Sequence, residues 1–446
     1  MTAESQTAPA SQASTGPHAP QKLWKSVCIV ASGNFLEMYD FMVFGFYATI
    51  IATVHFPGGN EYASLMLTLM TFGAGFLMRP IGALVLGAYL DRYGRRDGLL
   101  ITLGLMAVGT LTIAVTPSYM SIGLAAPFLI LIGRLVQGLS AGVELGGVSV
   151  YLSEIAPPGR KGFFVAWQSA SQQLAIVFAA LLGITLATSL SPEEMKDWGW
   201  RVPFIAGCML IPFLFAIRRR LVETPAFTAR RHHPTFAEIY RSLSKSAGLV
   251  ITGMMLVTMT TVSFYMITAY TPTFGTQELH LTRLDSLIVT LCVAFSNFLL
   301  LPTMGALSDK IGRKPILLAA TTLMVLTAYP AMLWLVDGPS FARLLGVLLW
   351  FSLLYGSYNG AMVVFLTELM PPAVRTAGFS LAYSLATAIF GGFTPAIATS
   401  LIHETGNKAI PGAWLSCAAL LGLIAALIAT RRQTVPGGLA AAPAGE

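Results

Sequence analysis

The sequence predicts an all-α membrane protein in which twelve transmembrane helices form two pseudo-symmetric six-helix bundles. Of the 446 residues, 55% are hydrophobic and only 11% are charged, whereas soluble domains usually carry about 25% charged residues. The apolar residues form long runs, and roughly 20 apolar residues span a bilayer as a helix. An internal repeat, described below, divides these runs into two sets of six.

Twelve apolar segments lie between two polar tails. Residues 1–21 and 433–446 have a polar or low-complexity composition and are predicted to be disordered. The first bundle, 22–218, contains segments 26–54, 62–90, 98–116, 120–154, 162–190 and 200–218. A linker loop is predicted at 219–245. The second bundle, 246–432, contains segments 246–272, 283–308, 314–336, 340–369, 376–402 and 411–430.

The basic residues alternate between successive loops. Lys and Arg are present in loops 91–97, 156–162, 309–314 and 370–375, in the linker and at 431–432. By contrast, loop 191–199 holds three acidic residues and one lysine. Basic loops stay on the cytoplasmic side of membranes, so we expect a multi-pass protein with both termini in the cytoplasm. The net charge of +7 then reflects this topology, and no nucleic-acid partner is expected.

Two pairs of matching motifs reveal the repeat. The motif GAYLDRYGRR at 87–96 follows segment 2, and GALSDKIGRK at 305–314 follows segment 8, 218 residues later. A second pair, YLSEIAPP at 151–158 and FLTELMPP at 365–372, has an offset of 214 residues. Two nearly equal offsets indicate a duplicated six-helix unit.

Both loop motifs of the first pair resemble the signature of the major facilitator superfamily, whose two parallel halves hold the solute between them near the midplane. The glycines permit a tight turn and a close helix approach. The aspartate is placed to interact with a helix N-terminus and a basic partner. A basic loop that only sets topology is the alternative. We expect gating residues at Gly87, Asp91, Arg92, Gly94, Arg95, Asp309, Gly312, Arg313, Glu154 and Glu368.

Three further motifs resemble the metabolite–proton symporter family: NFLEMYDF at 34–41, RPIGA at 79–83 and GRLVQGLSAGVE at 133–144. Within that family the chain is most similar to the bacterial citrate and tricarballylate proton symporters, at 72–82, 166–173, 227–233 and 379–388. The resemblance implies a monomeric transporter of the bacterial inner membrane. It implies import of a tricarboxylate in symport with protons, which act as the coupling ion, and no cofactor.

Four charged residues lie deep in the first bundle. At about 1.5 Å per helical residue, Glu37, Asp40, Arg79 and Arg134 lie roughly 18–22 Å from the ends of their segments, near the middle of a core about 30 Å thick. Charge at this depth is costly and indicates a functional site. The planar fork of arginine binds carboxylates bidentately, which suits a polycarboxylate. The alternative is that both arginines pair only with Glu37, Asp40 or Glu144.

Glu37 and Asp40 are the candidate proton carriers. A desolvated carboxyl group favours its neutral form, and a nearby arginine favours the ionised form. A solute that binds the arginine would therefore promote protonation of the carboxylate, which gives a route to coupling. Permanently ionised structural pairs are the alternative. Glu144 lies about 15 Å nearer the cytoplasm than Arg134 and is a further coupling candidate, with a gate or packing role as its alternative.

Neutral polar residues complete the predicted site, because the second bundle has no Lys or Arg at mid-depth. Such residues form hydrogen bonds between helices as readily as they bind a ligand. The predicted substrate-binding residues are Asn34, Arg79, Arg134, Gln137, Gln168, Gln172, Asn297, Tyr355 and Asn359.

The sequence is also compatible with other functions. The same fold could carry a dicarboxylate or a zwitterionic osmolyte, whereas two central arginines argue against a neutral sugar. A membrane enzyme or a transport-like sensor is more remote, because the sequence has no Gly-rich phosphate loop, metal cluster or Ser–His–Asp arrangement in a plausible context. The four cysteines lie in separate apolar segments without metal spacing.

Overall fold

The computed structural model describes residues 20–57, 59–93, 95–142, 144–218, 241, 244, 246–371 and 375–434. Regular structure in these ranges is entirely helical. The long helices of the first six segments are α1 (Pro20–Phe46), α2 (Glu61–Tyr93), α3 (Arg95–Val115), α4 (Ala125–Ala141 and Glu144–Ile155), α5 (Lys161–Ser189) and α6 (Val202–Arg218). We call these six helices the N half.

The remaining six long helices form the C half. They are α7 (Ala247–Ile267), α8 (Arg283–Ile311), α9 (Arg313–Asp337), α10 (Phe341–Leu369), α11 (Arg375–Thr405) and α12 (Ile410–Thr434). Ten of these twelve helices contain apolar spans long enough to cross a membrane. The shorter apolar stretch 100–115 lies in α3, and the stretch 199–213 comprises the turn Gly199–Arg201 and most of α6. The predicted all-α membrane fold is confirmed.

The first helix of each half is broken where the sequence predicted a continuous segment. Helix α1 ends at Phe46 and is followed by the short helix Ala48–His55, whereas α7 ends at Ile267 and is followed by Thr271–Gln277. In the C half the break precedes Pro272, which has no N–H to continue the helical bonds. In the N half the Phe46 carbonyl accepts a hydrogen bond from Arg283 of α8 at 3.2 Å.

Large apolar side chains cover the outer surface of the helices. Leu67, Val108, Phe128, Met209 and Phe213 are all more than half exposed. Contiguous exposed apolar surface on a helical bundle is typical of a lipid-facing surface. By contrast, the deep charged residues Glu37, Asp40, Arg79 and Arg134 are buried.

The two halves meet along α5 and α8, which run antiparallel. Near the start of α5, Gly162 lies so close to Gly305, near the end of α8, that a Cβ on either residue would overlap the other's carbonyl oxygen. Near the other end of α5, Gly183 faces Leu287 of α8. Residues half-way along α5 therefore lie level with residues half-way along α8.

The two ends of the bundle differ in charge. We call the end that holds the N-terminus of α5 and the loop 309–314 the basic end, because the predicted cytoplasmic loops with Lys and Arg are there. The opposite end, which holds loop 191–199 with its three acidic residues, is called the acidic end.

Candidate functional site

Arg134 of α4 is fully buried among aromatic rings. Its Cζ lies 4.4 Å from the ring centroid of Phe41, 4.7 Å from that of Phe44 and 5.1 Å from that of Phe72, distances at which a guanidinium is attracted by an aromatic face. Its Nη1 donates to Gln137 Oε1 at 2.9 Å, and its Nη2 lies 3.5 Å from the Phe72 carbonyl oxygen. Among the residues that the structure describes, no carboxylate lies within ion-pair distance of this guanidinium, and Nε has no acceptor. Asp40 is near enough to interact with its charge.

Arg79 of α2 lies beside this cluster but has a carboxylate partner. Its Cζ is 4.7 Å from the ring centroids of both Phe41 and Phe76. Its Nη2 is 2.8 Å from Glu37 Oε1, and both side chains are almost fully buried. The alternative that the sequence left open, an arginine paired with a carboxylate of the protein, therefore holds for Arg79 in this structure. Arg134 has no such direct ion pair among the described residues.

Asp40 is linked to Arg134 through two neutral side chains. Thr110 of α3 donates to Asp40 Oδ2 at 2.6 Å and accepts from Gln137 Nε2 at 2.9 Å. Because Gln137 also accepts from Arg134, the hydrogen bonds form a continuous chain. Asp40 Oδ1 has no partner among the described residues, and it packs against Gly207 of α6.

Thr110 is the one member of this series of hydrogen bonds that the sequence did not predict. The available signal was a hydroxyl group in the apolar run of segment 3. Thr110 also lies 2.9 Å from the Met106 carbonyl oxygen of its own helix. Threonines often return a hydrogen bond to their own helix in this way, so the sequence alone gives no reason to single this residue out.

A small cavity of about 10 Å³ adjoins the carboxyl group of Glu37. Its walls are formed by Gly33, Glu37, Thr102, Leu103, Met106, Ser140 and Ala141 of α1, α3 and α4. A volume of this size holds about one water molecule. A tricarboxylate does not fit in this cavity.

Two tyrosines of the C half face the arginines. Tyr265 of α7 lies with its ring centroid 5.0 Å from that of Phe76 and 6.0 Å from that of Phe72. Tyr265 and Tyr383 both lie within electrostatic range of Arg79. The charged cluster of the N half is therefore directed towards the C half, where a solute held between the halves would lie.

Some predicted ligands bond to one another within the N half. Asn34 of α1 donates to the Gln168 carbonyl oxygen at 2.8 Å and to Ser171 Oγ at 3.2 Å. Gln172 donates to Asn34 Oδ1 at 3.2 Å. Asn34 and Gln172 therefore join α1 to α5. The side-chain Nε2 of Gln168 has no acceptor in the described part of the chain.

The predicted ligands of the C half lie together on α8 and α10. Ser352 donates to Asn297 Oδ1 at 2.8 Å, and Asn359 donates to the Tyr355 hydroxyl at 3.3 Å. Asn297 Oδ1 also lies next to Gly356, the residue that follows Tyr355. Within the described ranges, Asn297 Nδ2 and Asn359 Oδ1 make no hydrogen bond.

At the basic end, Asp309 of the C half caps a helix of the N half. Its two carboxylate oxygens accept from the backbone N–H groups of Gly162 and Phe163 at 2.8 and 3.0 Å, in the first turn of α5. A carboxylate at this position satisfies free N–H groups and complements the helix dipole. Arg313 lies 2.8 Å from Asp309 and 3.3 Å from Glu368, so the aspartate has both kinds of partner that the motif predicted.

Gly312 ends α8 with a φ of +87°, a value that favours glycine. Glu154 is exposed near the end of α4. The repeat copy of the motif is less fully described: Gly94 lies outside the described residues, as do the surroundings of Gly87 and the side chains of Asp91, Arg92, Arg95 and Glu144.

The acidic end is also closed by contacts between the halves. Arg283 of α8 donates to the Phe46 carbonyl oxygen at 3.2 Å, and its Cζ lies 4.5 Å from the ring centroid of Tyr47. The rings of Tyr62 and His403 stack with centroids 3.7 Å apart. In the described residues, contacts between the two halves are thus present at both ends of the bundle.

We predict that Asp309→Asn weakens closure at the basic end. The asparagine side chain has one acceptor oxygen where aspartate has two. One backbone N–H group in the first turn of α5 therefore loses its acceptor, and Arg313 loses its ion pair. A lost N-cap costs about 1 kcal/mol, which lowers the unfolding midpoint by roughly 2–4 °C in a domain of 150–250 residues. Thermal unfolding of the purified protein in detergent measures this change. Asp337→Asn, at a side chain that is 85% exposed, is the matched control, and equal midpoints for the two variants would contradict the prediction.

Comparison with known proteins places this architecture in a family. The sequence model of the Major Facilitator Superfamily matches residues 30–395, a range that includes all four deep charges and both copies of the loop motif. The chain belongs to the major facilitator superfamily. The resemblance that the loop motifs indicated is confirmed, and in this family the solute site lies between the two halves.

Two relatives within the superfamily share much more of their sequence with this chain than a common fold requires. The citrate-proton symporter of Klebsiella pneumoniae is 59% identical over 406 residues, which cover 91% of this chain and 91% of that protein. The citrate-proton symporter of Salmonella typhi is 60% identical over 396 residues, which cover 89% of this chain and 91% of that protein. The predicted similarity to citrate symporters is thereby confirmed.

A solved structure confirms the fold independently. The crystal structure of a D-xylose-proton symporter matches with a TM-score of 0.74 over 94% of this chain and 99% of that chain. Its sequence identity is 19%, so this similarity concerns the major facilitator fold and says nothing about the solute.

Proposed function

We propose that this protein is a secondary active transporter that imports a tricarboxylate, citrate or tricarballylate, in symport with protons by alternating access. The observation that carries the proposal is the fully buried guanidinium of Arg134, which has no carboxylate partner among the described residues. Asp40 acts on this charge only from a distance, without a direct ion pair. A buried charge that lacks a direct ion pair is unfavourable, so a carboxylate ligand is its natural complement. The names of the two relatives support citrate as that ligand.

Arg79 supplies the second cationic position. It is paired with Glu37 at 2.8 Å, so a solute carboxylate would have to displace Glu37 to reach it. A polycarboxylate can bind Arg134 with one group and compete for Arg79 with another. A displaced Glu37 in this buried site is stabilised by taking up a proton, because an unpaired carboxylate is costly there. This exchange of partners couples solute binding to protonation.

Asp40 is the second proton carrier in this proposal. The chain through Thr110 and Gln137 connects its carboxyl group to Arg134. When Arg134 turns towards a solute carboxylate, Gln137 loses its donor and the hydrogen bonds to Asp40 rearrange. The carboxyl group of Asp40 thus senses the solute without contacting it.

Alternating access requires the two closures to open in turn. The Asp309 cap on α5 and the Arg313–Glu368 pair would separate when the site opens at the basic end. The Arg283 contact with Phe46 and the Tyr62–His403 stack would separate when it opens at the acidic end. Each set joins the N half to the C half, so rocking of the halves breaks one set while the other is kept.

The cellular setting follows from the same proposal. We propose that the protein is a monomer in the lipid bilayer of the bacterial inner membrane, with its basic end and both termini in the cytoplasm. It transports a small carboxylate and does not catalyse a reaction, and it uses protons as the coupling ion without a cofactor. Neither a dicarboxylate nor a zwitterionic osmolyte accounts as well for two buried arginines, one of them without a carboxylate partner among the described residues.

Counterflow in proteoliposomes tests the choice of solute. Vesicles loaded with unlabelled citrate are diluted into labelled citrate, with tricarballylate, succinate or proline betaine added as competitors. We expect rapid exchange of citrate, strong competition by tricarballylate, weaker competition by succinate and none by the betaine. Absence of citrate exchange, or stronger competition by the betaine than by tricarballylate, would contradict the proposal.

A further inference from the structure

Tyr265 of α7 and Tyr383 of α11 are buried tyrosines that the proposed mechanism does not use. The other three buried tyrosines of the C half have hydrogen-bond partners. Tyr358 donates to a backbone carbonyl oxygen of α7 at 2.9 Å, Tyr270 accepts from a threonine hydroxyl at 3.0 Å, and Tyr355 bonds to two amide side chains. Within the described ranges, the hydroxyl groups of Tyr265 and Tyr383 make no hydrogen bond. These two hydroxyls are therefore available to a ligand.

Both tyrosines lie opposite the charged cluster of the N half. Tyr265 is within electrostatic range of Arg79 and Arg134, and Tyr383 is within range of Arg79. The ring centroid of Tyr265 lies 5.0 Å from that of Phe76, the ring on which the guanidinium of Arg79 stacks at 4.7 Å. The two tyrosines are also within range of each other. A solute held by the arginines would therefore contact both tyrosines from the opposite side.

The π-helix Thr387–Gly391 fixes the position of α11 between α7 and α2. Thr387 accepts a hydrogen bond from Thr261 of α7 at 3.4 Å, and each of these threonines lies about one helical turn from one of the two tyrosines. On the side of α2, Gly392 lies so close to Phe76 that a Cβ would overlap the ring. Such π-helical turns are rare and are frequent at functional sites, which agrees with a solute-contacting role for this part of α11.

A tricarboxylate has one carboxylate more than the two arginines can bind. If Arg134 and Arg79 each take one group, the third must find donors in the C half, which has no Lys or Arg at mid-depth. A phenol hydroxyl is uncharged, so it costs much less to bury than an ammonium or guanidinium group. It nevertheless donates a short, charge-assisted hydrogen bond to a carboxylate. Two tyrosine hydroxyls opposite the arginines therefore suit a third carboxylate.

We infer that Tyr265 and Tyr383 bind the third carboxylate of the solute and thereby select tricarboxylates over dicarboxylates. This inference rests on the proposed function and extends it to the basis of solute choice. A site built to hydrogen-bond one group of its solute discriminates against an analogue that lacks this group, because the donors then stay unpaired. Succinate has carboxylates for the two arginines and none for the tyrosines. Citrate and tricarballylate both have the third group.

The test measures half-saturating concentrations of citrate, tricarballylate and succinate for exchange in proteoliposomes, for the wild type, Tyr265→Phe and Tyr383→Phe. The wild type should prefer both tricarboxylates to succinate. In each variant the values for citrate and tricarballylate should rise about tenfold, in line with one lost hydrogen bond to a charged group, while the value for succinate stays nearly constant. Tyr358→Phe removes a buried hydroxyl that donates to the Leu256 carbonyl oxygen. It is the matched control and should leave the ratio of tricarboxylate to succinate values unchanged.

Three outcomes would overturn the inference. They are a wild type that exchanges citrate but does not distinguish it from succinate, an unchanged ratio in either Y265F or Y383F, and an equal loss of affinity for all three acids in these variants. If a variant does not transport, calorimetric titration of the purified variant with each acid gives the same ratio. A wild type that exchanges neither tricarboxylate would instead contradict the proposed function, so the two failures are distinguishable.

Discussion

Arg134→Ala is expected to abolish tricarboxylate uptake while the protein remains folded. The substitution removes the buried guanidinium that has no carboxylate partner among the described residues. Truncating one partner of a buried, hydrogen-bonded charge pair costs about 2–5 kcal/mol of binding, which corresponds to a loss of roughly 30-fold to several-thousand-fold in affinity. Arg79 cannot replace it, because that arginine is already paired with Glu37.

The measurement is citrate counterflow together with thermal unfolding of the same preparation. Arg134→Met, which fills the space among the phenylalanine rings with an unbranched apolar chain, should be equally inactive and should show that charge rather than volume matters. Arg343→Ala removes an arginine that stacks on Trp334 at the acidic end and should exchange citrate normally. A folded R134A variant with wild-type exchange would remove Arg134 from the site.

Asp40→Asn is expected to separate solute exchange from proton-driven accumulation. Asparagine has nearly the same shape, and its oxygen can still accept from Thr110, which now bonds Asp40 at 2.6 Å. The hydrogen bonds that connect this position to Arg134 are therefore kept. Asparagine cannot take up a proton, so the proton coupling through this residue is lost. Counterflow of citrate should continue, and proton-driven accumulation should fall well below the wild-type level, because Glu37 is the one proposed proton carrier that remains.

Glu37→Gln is the informative companion variant, because Glu37 is the other candidate proton carrier. Asp337→Asn, an exposed residue at the end of α9, controls for the chemical change. If E37Q loses accumulation and D40N retains it fully, then Glu37 carries the proton and Asp40 has a structural role. Unchanged accumulation in both variants would show that neither carboxyl group is the carrier.

The sequence predicted the fold and the meeting of the deep charges for a simple physical reason. Charge is so costly in a bilayer that each arginine or carboxylate in an apolar run must be directed inwards. Residue counts from the loops therefore predicted that Glu37, Asp40, Arg79 and Arg134 lie at about the same depth in the membrane. The pairing of Arg79 with Glu37 was left open, because it depends on how each helix is rotated about its axis.

Features set by the opposite half were harder to predict. The break in α1 coincides with the hydrogen bond from Arg283, a residue 237 positions away, whereas the break in α7 had a local signal in Pro272. The partner of Asp309 was predicted only as a helix N-terminus, and the structure identifies it as that of α5. The roles of all these residues in transport stay predictions.

Proton-driven uptake of citrate is tested most directly by gradient-driven accumulation in proteoliposomes. Vesicles with an alkaline interior and an acidic exterior, in sodium-free buffer, receive labelled citrate with or without a protonophore. We predict that citrate accumulates inside above its external concentration and that the protonophore abolishes this accumulation. Equilibration without accumulation, or accumulation that requires a sodium gradient in place of the pH gradient, would contradict proton symport.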